Sequence, residues 1–352
     1  MRMMKHKGIT YDVGTLFPGN RSTRPVFDPA VMRREIEIIR QDLHCNAIRL
    51  CGDDLTHLRQ TAEHAIAQEL AVWFSPMKID ATPEKTLTYL ARCAPIAEEL
   101  ARGRGKIIFI LGGEMSFFMQ GILQGRDLYS RMRSFMRPLG LLRNMLTGGR
   151  WPGRRLNQFL STAVSAVRQQ FKGRITYASG PWERINWDLF DIVSVNYYRT
   201  GQSLQNYRAG LQRYFKHGKP VAITEFGCCS YTGADQKGGA GWAIVDTTQP
   251  RRRIKAGSYV RDEDVQARYL AELLEIFKQE PVDAAFVFNF AGYNLPHDQD
   301  PQFDLDMASY GVVKVLGDGM RVATYSGMPW EPKQGFAAVK SAYGLQPAKS
   351  PF

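Results

Sequence analysis

Two short apolar runs, each ending in a single glutamate, constrain this chain more than any other feature. Pro220–Gly227 reads PVAITEFG and carries Glu225 near its end, while Lys106–Glu114 reads KIIFILGGE and closes on Glu114. Each run is too short for a helix, rich in Val, Ile and Phe, and punctuated by glycine, which is the pattern of a fully buried parallel strand. The acid therefore falls at the carboxyl end of each strand. Side chains alternate faces along a strand, so Ile108, Ile110, Gly112 and Glu114 are expected on one side, and Val221, Ile223 and Glu225 on one side of theirs. An unpaired carboxylate beside an apolar core is costly. The two endings are therefore either separate structural ion pairs or the halves of one site.

The rest of the chain supplies the frame. Further strands are expected at Gly8–Gly14, Ala47–Leu50, Ala71–Ser75, Arg174–Ala178, Asp191–Asn196 and Asp283–Asn289. Helical periodicity fills Asp28–His44, with Asp28 as cap and Pro29 in the first turn. It recurs over Thr56–Leu70, from Thr82 and Pro83 to Arg102, over Leu204–Phe215 and Asp262–Gln279, and from about Glu331 to Tyr343. Eight strands, each followed by a helix or a long excursion, predict a single (β/α)8 TIM barrel over residues 1–352. A doubly wound sheet is the alternative, but no GxGxxG turn follows the first strand. A barrel gathers its functional loops at the carboxyl ends of its strands, which brings both acids to one mouth.

Three excursions, at about 115–171, 228–261 and 291–328, exceed what a barrel needs. The first carries Arg126, Arg131, Arg133, Arg137, Arg143, Arg150, Arg154 and Arg155, and is expected as two helices broken near Pro138 and between Gly148 and Gly153. It reads either as a solvated basic face or as a wall over the mouth. The second is rich in Gly and Tyr and then basic at Arg251, Arg252 and Arg253. The third holds His297–Asp306, HDQDPQFDLD, whose spacing is too irregular for a calcium loop, so that a surface loop is expected.

Composition excludes several classes. The formal charge is +12, yet no RNP, helix-turn-helix or zinc-finger pattern accompanies it, so no nucleic-acid partner is expected. The opening MRMMKHKG is basic but leads into no apolar segment, and no run is long enough to span a bilayer, so a cytoplasmic protein without a membrane span is expected. Cys45, Cys51, Cys93, Cys228 and Cys229 are odd in number and lack CxxC spacing, which predicts free thiols and no zinc site. No metal or cofactor is expected. Cys228 and Cys229 follow Glu225 closely, but no histidine is near in sequence to activate them.

The strand-end residues, taken together, resemble a known group of enzymes. Glu114 ends the fourth strand, Glu225 ends the seventh in a TEFG context, Arg49 lies near the end of the second, and Asn196 and Tyr198 lie at the end of the sixth. This set resembles the clan A retaining glycoside hydrolases. The resemblance implies that Glu114 is the general acid/base and Glu225 the nucleophile, that Arg49 orients the nucleophile, and that Tyr198 donates a hydrogen bond to it. The chemistry asks for the same division independently, because retention needs one carboxyl protonated and one ionised, about 5 to 5.5 Å apart, with pKa values split by environment. Met115, Phe117 and Phe118 beside Glu114 would raise its pKa, and Arg49 with Tyr198 would favour a charged Glu225. Arg49 could instead pair with Asp12 or Asp53, and Tyr197 could replace Tyr198 as the inward ring.

Substrate contacts are expected from Asp12, Arg49, Asp53, Asn196, Tyr198, Trp182, Trp242 and Asn289. Asp54, Asp80, Glu183, Trp187, Tyr231 and Tyr293 are further candidates. The sequence departs from the clan at Gly113, where an asparagine that reads the sugar 2-hydroxyl is usual, and at Phe288-Asn289-Phe290, where a tryptophan is common. Both departures touch sugar recognition rather than bond cleavage. They leave a 2-modified or 2-deoxy sugar, a glycosylated small molecule or a non-sugar substrate open; with the excursions expected to close the mouth into a pocket, a small glycoside or glycoconjugate with a bulky or aromatic aglycone is expected. The alternatives are a barrel altered to act on a non-sugar substrate, and a binding or abortive-infection type of protein.

Overall fold

The computed structural model describes residues 4–344 apart from 104, 138–141, 143–145, 147–149, 249, 250 and 318. Eight strands form a closed parallel barrel: β1 His6–Asp12, β2 Ala47–Gly52, β3 Ala71–Pro76, β4 Ile107–Gly113, β5 Arg174–Ser179, β6 Val193–Asn196, β7 Val221–Phe226 and β8 Ala284–Val287. Each pairs with its sequence neighbours, and β1 closes the ring against β8. All eight expected strands are present. The helices α1 Pro29–Gln41, α2 Leu55–Ala67, α3 Pro83–Arg102, α4 Arg150–Gln170, α5 Leu204–Phe215, α6 Glu263–Gln279 and α7 Gln334–Gly344 connect them.

Local sequence explains the helix starts. Asp28 accepts hydrogen bonds from the Ala30 and Val31 amides ahead of Pro29, and Thr82 accepts from Lys85 ahead of Pro83, so that side chains satisfy amides that the first turn leaves free. Between β5 and β6 there is only the 3-10 turn Trp187–Leu189. The closing helix begins at Gln334, later than expected, because Trp330–Pro332 is taken up as a short strand antiparallel to Val313–Val315.

Two apolar layers hold the barrel. Inside it, Ala47, Ala71, Trp73, Ile108, Ile110, Ala178, Ile192, Ala222, Ala284 and Phe286 form one buried cluster. Trp73 and Phe286 lie 4.9 Å apart between ring centroids. Gly8 makes room for them, since a Cβ there would fall 2.4 Å from the Phe286 ring. Outside it, the larger cluster between strands and helices takes the opposite faces, including Ile9, Ile48, Val72, Phe109, Val221 and Ile223.

This division corrects one expectation. Val221 and Ile223 face the helices, while Ala222 faces the interior, so regular alternation would turn Glu225 outward. It does not, because β7 gains one residue against both neighbours. Val195 and Asn196 of β6 pair with Ile223 and Glu225, and Ala285 and Val287 of β8 pair with Ile223 and Phe226. The acid-bearing β4 does the same against β5, where Ile110 and Gly113 pair with Thr176 and Ala178. Each strand that carries an acid thus has a β-bulge just ahead of it, a device that re-aims side chains.

The excursions are fastened to the barrel by specific contacts. In the first, the helix Leu128–Met136 presents Arg131, a fully buried side chain. Its guanidinium donates to the Phe117 carbonyl at 2.6 Å and to Asp80. Phe117, Leu123 and Leu128 form a buried cluster with Trp182, Phe135, Ile79 and Phe17. Gly153 lies inside α4 and does not break it, while the expected breaks at Pro138 and Gly148, and Arg143, lie outside the described residues.

The second and third excursions are joined by charge. Arg251 pairs with Asp298 at 3.0 Å, and Arg261 pairs with Asp304 and Asp306 at 2.9 and 2.8 Å. Lys333 reaches the same Asp306 at 3.2 Å and the Ser230 hydroxyl at 3.1 Å. The HDQDPQFDLD run is therefore not a plain surface loop. Asp304 and Asp306 are buried because cations from two other segments surround them, and a buried charge is tolerated only when so paired.

Candidate active site

Glu114 and Glu225 stand at the same end of the barrel and share a network of hydrogen bonds. Glu225 Oε1 accepts from Arg49 Nη1 at 2.6 Å, and Glu225 Oε2 accepts from the Tyr198 hydroxyl at 3.2 Å. Arg49 is completely buried; it also donates to the Thr224 carbonyl at 2.9 Å and to the Ser75 hydroxyl at 3.3 Å. Those additional acceptors fix the guanidinium plane, so that it meets the carboxylate as a charge-assisted donor.

Glu114 is held from the opposite side. Its Oε1 accepts from Asn196 Nδ2 at 3.0 Å, and Asn196 Oδ1 accepts from the Thr224 hydroxyl at 2.9 Å. Thr224 and Glu225 are adjacent residues that both face the mouth, which only the bulge permits. Burial pushes the Glu114 carboxyl up to about 8; the Glu225 charge adds to the rise, the Asn196 amide opposes it, and the Glu183 charge adds further. A carboxyl so placed keeps its proton near neutral pH and can give it to a leaving group. Glu225, by contrast, faces a permanent cation and a hydroxyl donor, which suits a carboxylate.

The remaining sequence candidates divide sharply. Tyr198 is the ring that reaches Glu225, whereas the Tyr197 hydroxyl turns away to the Tyr207 carbonyl. Asp12 and Asp53 do not compete for Arg49. Asp12 accepts from the Gly14 amide at 2.9 Å and shapes the turn after β1, and Asp53 pairs with Lys78 at 3.7 Å. Asn289 donates to the Ala291 carbonyl at 3.0 Å within its own loop. Trp182 and Trp242 are partly exposed, and Trp182 Nε1 donates to the Ser116 hydroxyl at 3.0 Å, two residues beyond Glu114.

Several aromatic candidates lie elsewhere. Trp187 is buried beside Phe190 and His217, and its carbonyl accepts from Lys219 at 2.6 Å, ahead of the start of β7 and away from the mouth. Tyr231 is buried and donates to the Gly241 carbonyl. Tyr293 donates to the buried Glu35 and lies under Arg24. Asp54 caps α2, and Asp80 is taken by Arg131. Burial pushes both Cys228 and Cys229 thiols well up, so neither is a ready nucleophile.

Residues that sequence reasoning passed over complete the site. Thr224 and Ser75 support Asn196 and Arg49, and Tyr177 accepts a hydrogen bond from the Met115 amide at 2.7 Å. Thr224 was detectable as the residue before the acid; Tyr177, in an apolar strand, gave no signal.

No protein-family model matches the chain, and no curated protein matches it in sequence. Solved structures do share its fold. A GH113 β-1,4-mannanase is 14% identical, covers 98% of this chain and 100% of its own, and superposes with a TM-score of 0.63. The GH113 β-mannanase AaManA from Alicyclobacillus acidocaldarius, in complex with ManMIm, is 15% identical, covers 97% of each chain, and gives 0.57. A glycoside hydrolase family 5 enzyme from Prevotella bryantii, in complex with a xyloglucan tetradecasaccharide, is 12% identical over 97% of this chain and 96% of its own, with a TM-score of 0.54. At such identities the likeness establishes the fold, a parallel barrel of the kind found in these glycoside hydrolases. No helix among the described residues is long and apolar enough to cross a membrane.

Proposed function

We propose that this protein is a retaining glycoside hydrolase acting on a small glycoside or glycoconjugate. The observation that carries the proposal is the division between the two carboxyls: Glu225 is bound by Arg49 and Tyr198, while Glu114 meets, among the described residues, only the Asn196 amide and is pushed up by burial and by the neighbouring Glu225 charge. In the first step Glu225 attacks the anomeric carbon and displaces the aglycone, whose oxygen takes the proton from Glu114. In the second, Glu114 as carboxylate removes a proton from water, which attacks the same carbon and releases Glu225. Asn196 holds Glu114 throughout, and Arg49 stabilises the carboxylate as it leaves the covalent intermediate.

The small-substrate part of the proposal draws on the three excursions, whose loops rise at the same end of the barrel as the acids. With Tyr231, Tyr293, Phe117 and Trp187 engaged elsewhere, partly exposed rings available to an aglycone include Phe118, Trp182, Trp242 and Phe288. Because the similar folds include β-mannanases, aryl β-mannosides are the first compounds to assay, with aryl β-glucosides and 2-deoxy glycosides beside them. Glu225→Gln is expected to abolish turnover. Glu114→Ala is expected to be rescued in part by azide on an activated aryl glycoside, since a small anion replaces water once the leaving group needs no proton. Wild-type rates in both variants would place the chemistry elsewhere, and efficient cleavage only inside long oligosaccharides would show a groove in place of a pocket.

A further inference from the structure

A third carboxyl, Glu183, lies against the segment that carries Glu114 and plays no part in the two-step chemistry. Glu114 sits at φ 44° and ψ 40°, in the left-handed region, where a residue other than glycine is strained and persists only when its surroundings hold it. Three consecutive amides are held by the end of β5 and the loop after it. The Glu114 N–H donates to the Ala178 carbonyl at 3.0 Å, the Met115 N–H to the Tyr177 hydroxyl at 2.7 Å, and the Ser116 N–H to Glu183 Oε1 at 3.0 Å.

Glu183 ties these contacts together. It also accepts from the Tyr177 hydroxyl, at 3.0 Å to Oε1 and 2.9 Å to Oε2, and from the Gly180 amide at 2.9 Å. Each of these contacts is a donation to Glu183, and together they favour the ionised carboxylate against the cost of its burial. With its oxygens committed to Ser116, Tyr177 and Gly180, Glu183 is not arranged to meet a substrate.

We propose that Glu183 is a positioning residue for Glu114, fixing the left-handed turn that aims it and standing as a fixed negative charge behind it. The inference rests on the reading of Glu114 as the acid/base. The ionisable groups that face Glu114 are Glu225 from β7, Arg49 from β2, Tyr198 after β6, and Tyr177 with Glu183 from β5 and its loop. Of these, the Glu225 charge adds most to the rise at Glu114, the Glu183 charge adds further, and Arg49 opposes both. Burial pushes the Glu183 carboxyl up, and the hydrogen bonds from Ser116, the Gly180 amide and the Tyr177 hydroxyl oppose that rise and favour its charged form.

The test uses the full-length protein and does not depend on turnover. The Glu114 carboxyl is titrated by NMR in protein labelled at the glutamate carboxyls, with the signal assigned by its loss in Glu114→Gln. In Glu183→Gln the Glu114 titration is expected to move down by about 1 pH unit, since one of the like charges that raise it is removed. A Glu114 titration that stays in place in a folded Glu183→Gln protein overturns the electrostatic half, because a merely structural residue would leave it there. Tyr177→Phe keeps the carboxylate and frees the Met115 amide, whose hydrogen exchange is expected to quicken about tenfold or more. Unchanged exchange there overturns the positioning half, even if Glu183→Gln fails to fold. If wild type turns over no glycoside while the titration still shifts, the proposed reaction fails and the inference about Glu183 stands.

Discussion

The raised pKa of Glu114 makes folding itself depend on pH in a way that one substitution isolates. Unfolded, this carboxyl titrates near its ordinary value of 4.5; folded, it is pushed up to about 8. Between those values the folded state holds a proton that the unfolded state has released, so stability falls as pH rises. The contribution is fully present below the unfolded value and is gone once pH has passed the folded one. Glu114→Gln keeps the shape and removes the titration. Relative to that variant, wild type should lose about 1 kcal/mol near pH 5, about 3 near pH 7 and about 5 near pH 9, at 1.36 kcal/mol for each unit. The assay is urea denaturation of both proteins across that range, read as the difference in unfolding free energy. A difference that does not change with pH would refute the argument, since it would mean that Glu114 titrates alike in both states. Under the proposed reaction the same value places the alkaline fall of glycoside cleavage near pH 8, because the leaving group then takes its proton from Glu114.

Three further outcomes are expected. Arg49→Met leaves the Glu225 carboxylate without its cation and should destabilise the protein by about 3 to 5 kcal/mol and lower kcat/KM on aryl glycosides at least about a hundredfold; a stable, fully active variant would remove Arg49 from the site. Asp306→Asn takes the charge from between Arg261 and Lys333 and should cost about 3 to 5 kcal/mol in urea denaturation, while a loss below about 1 kcal/mol would show that these cations find other partners. Gly113→Asn, which introduces the residue usual in the enzymes that the sequence resembles, places a Cβ 3.2 Å from the Ala178 carbonyl oxygen and 3.3 Å from its Cβ. It should lower stability by about 1 to 3 kcal/mol, and a variant as stable as wild type would show that β5 yields at this point.

The parts of the molecule legible in sequence are those in which one residue type repeats at a fixed period. All eight strands were readable because each is a short, largely apolar run set off by turns or amphipathic helices, and Glu114 and Glu225 stood out as acids that end such runs. The bulges were not readable. PVAITEFG and KIIFILGGE contain nothing that separates an irregular strand from a regular one, so alternation put Val221 and Ile223 with Glu225 on the wrong face. In β4 the irregularity shows only in the structure, where Gly112 takes φ 119°. The fate of the loop residues was equally hidden, because it depends on partners far along the chain. Asp306 is buried because Arg261 and Lys333 reach it, and Tyr293 is diverted because Glu35 lies beneath it.

The extra residue in β7 also changes how much a barrel strand can say at its mouth. A regular strand offers the interior every second position, about one side chain for each 6.6 Å of its length. By turning Thr224 and Glu225 the same way, β7 speaks to both halves of the site from neighbouring positions, one supporting the asparagine that holds the acid, the other being the acid's counterpart. The two halves thus share a single peptide unit. A shift of that unit cannot move one carboxyl without disturbing the support of the other, so the spacing between them is kept by the backbone itself and not by agreement between distant loops.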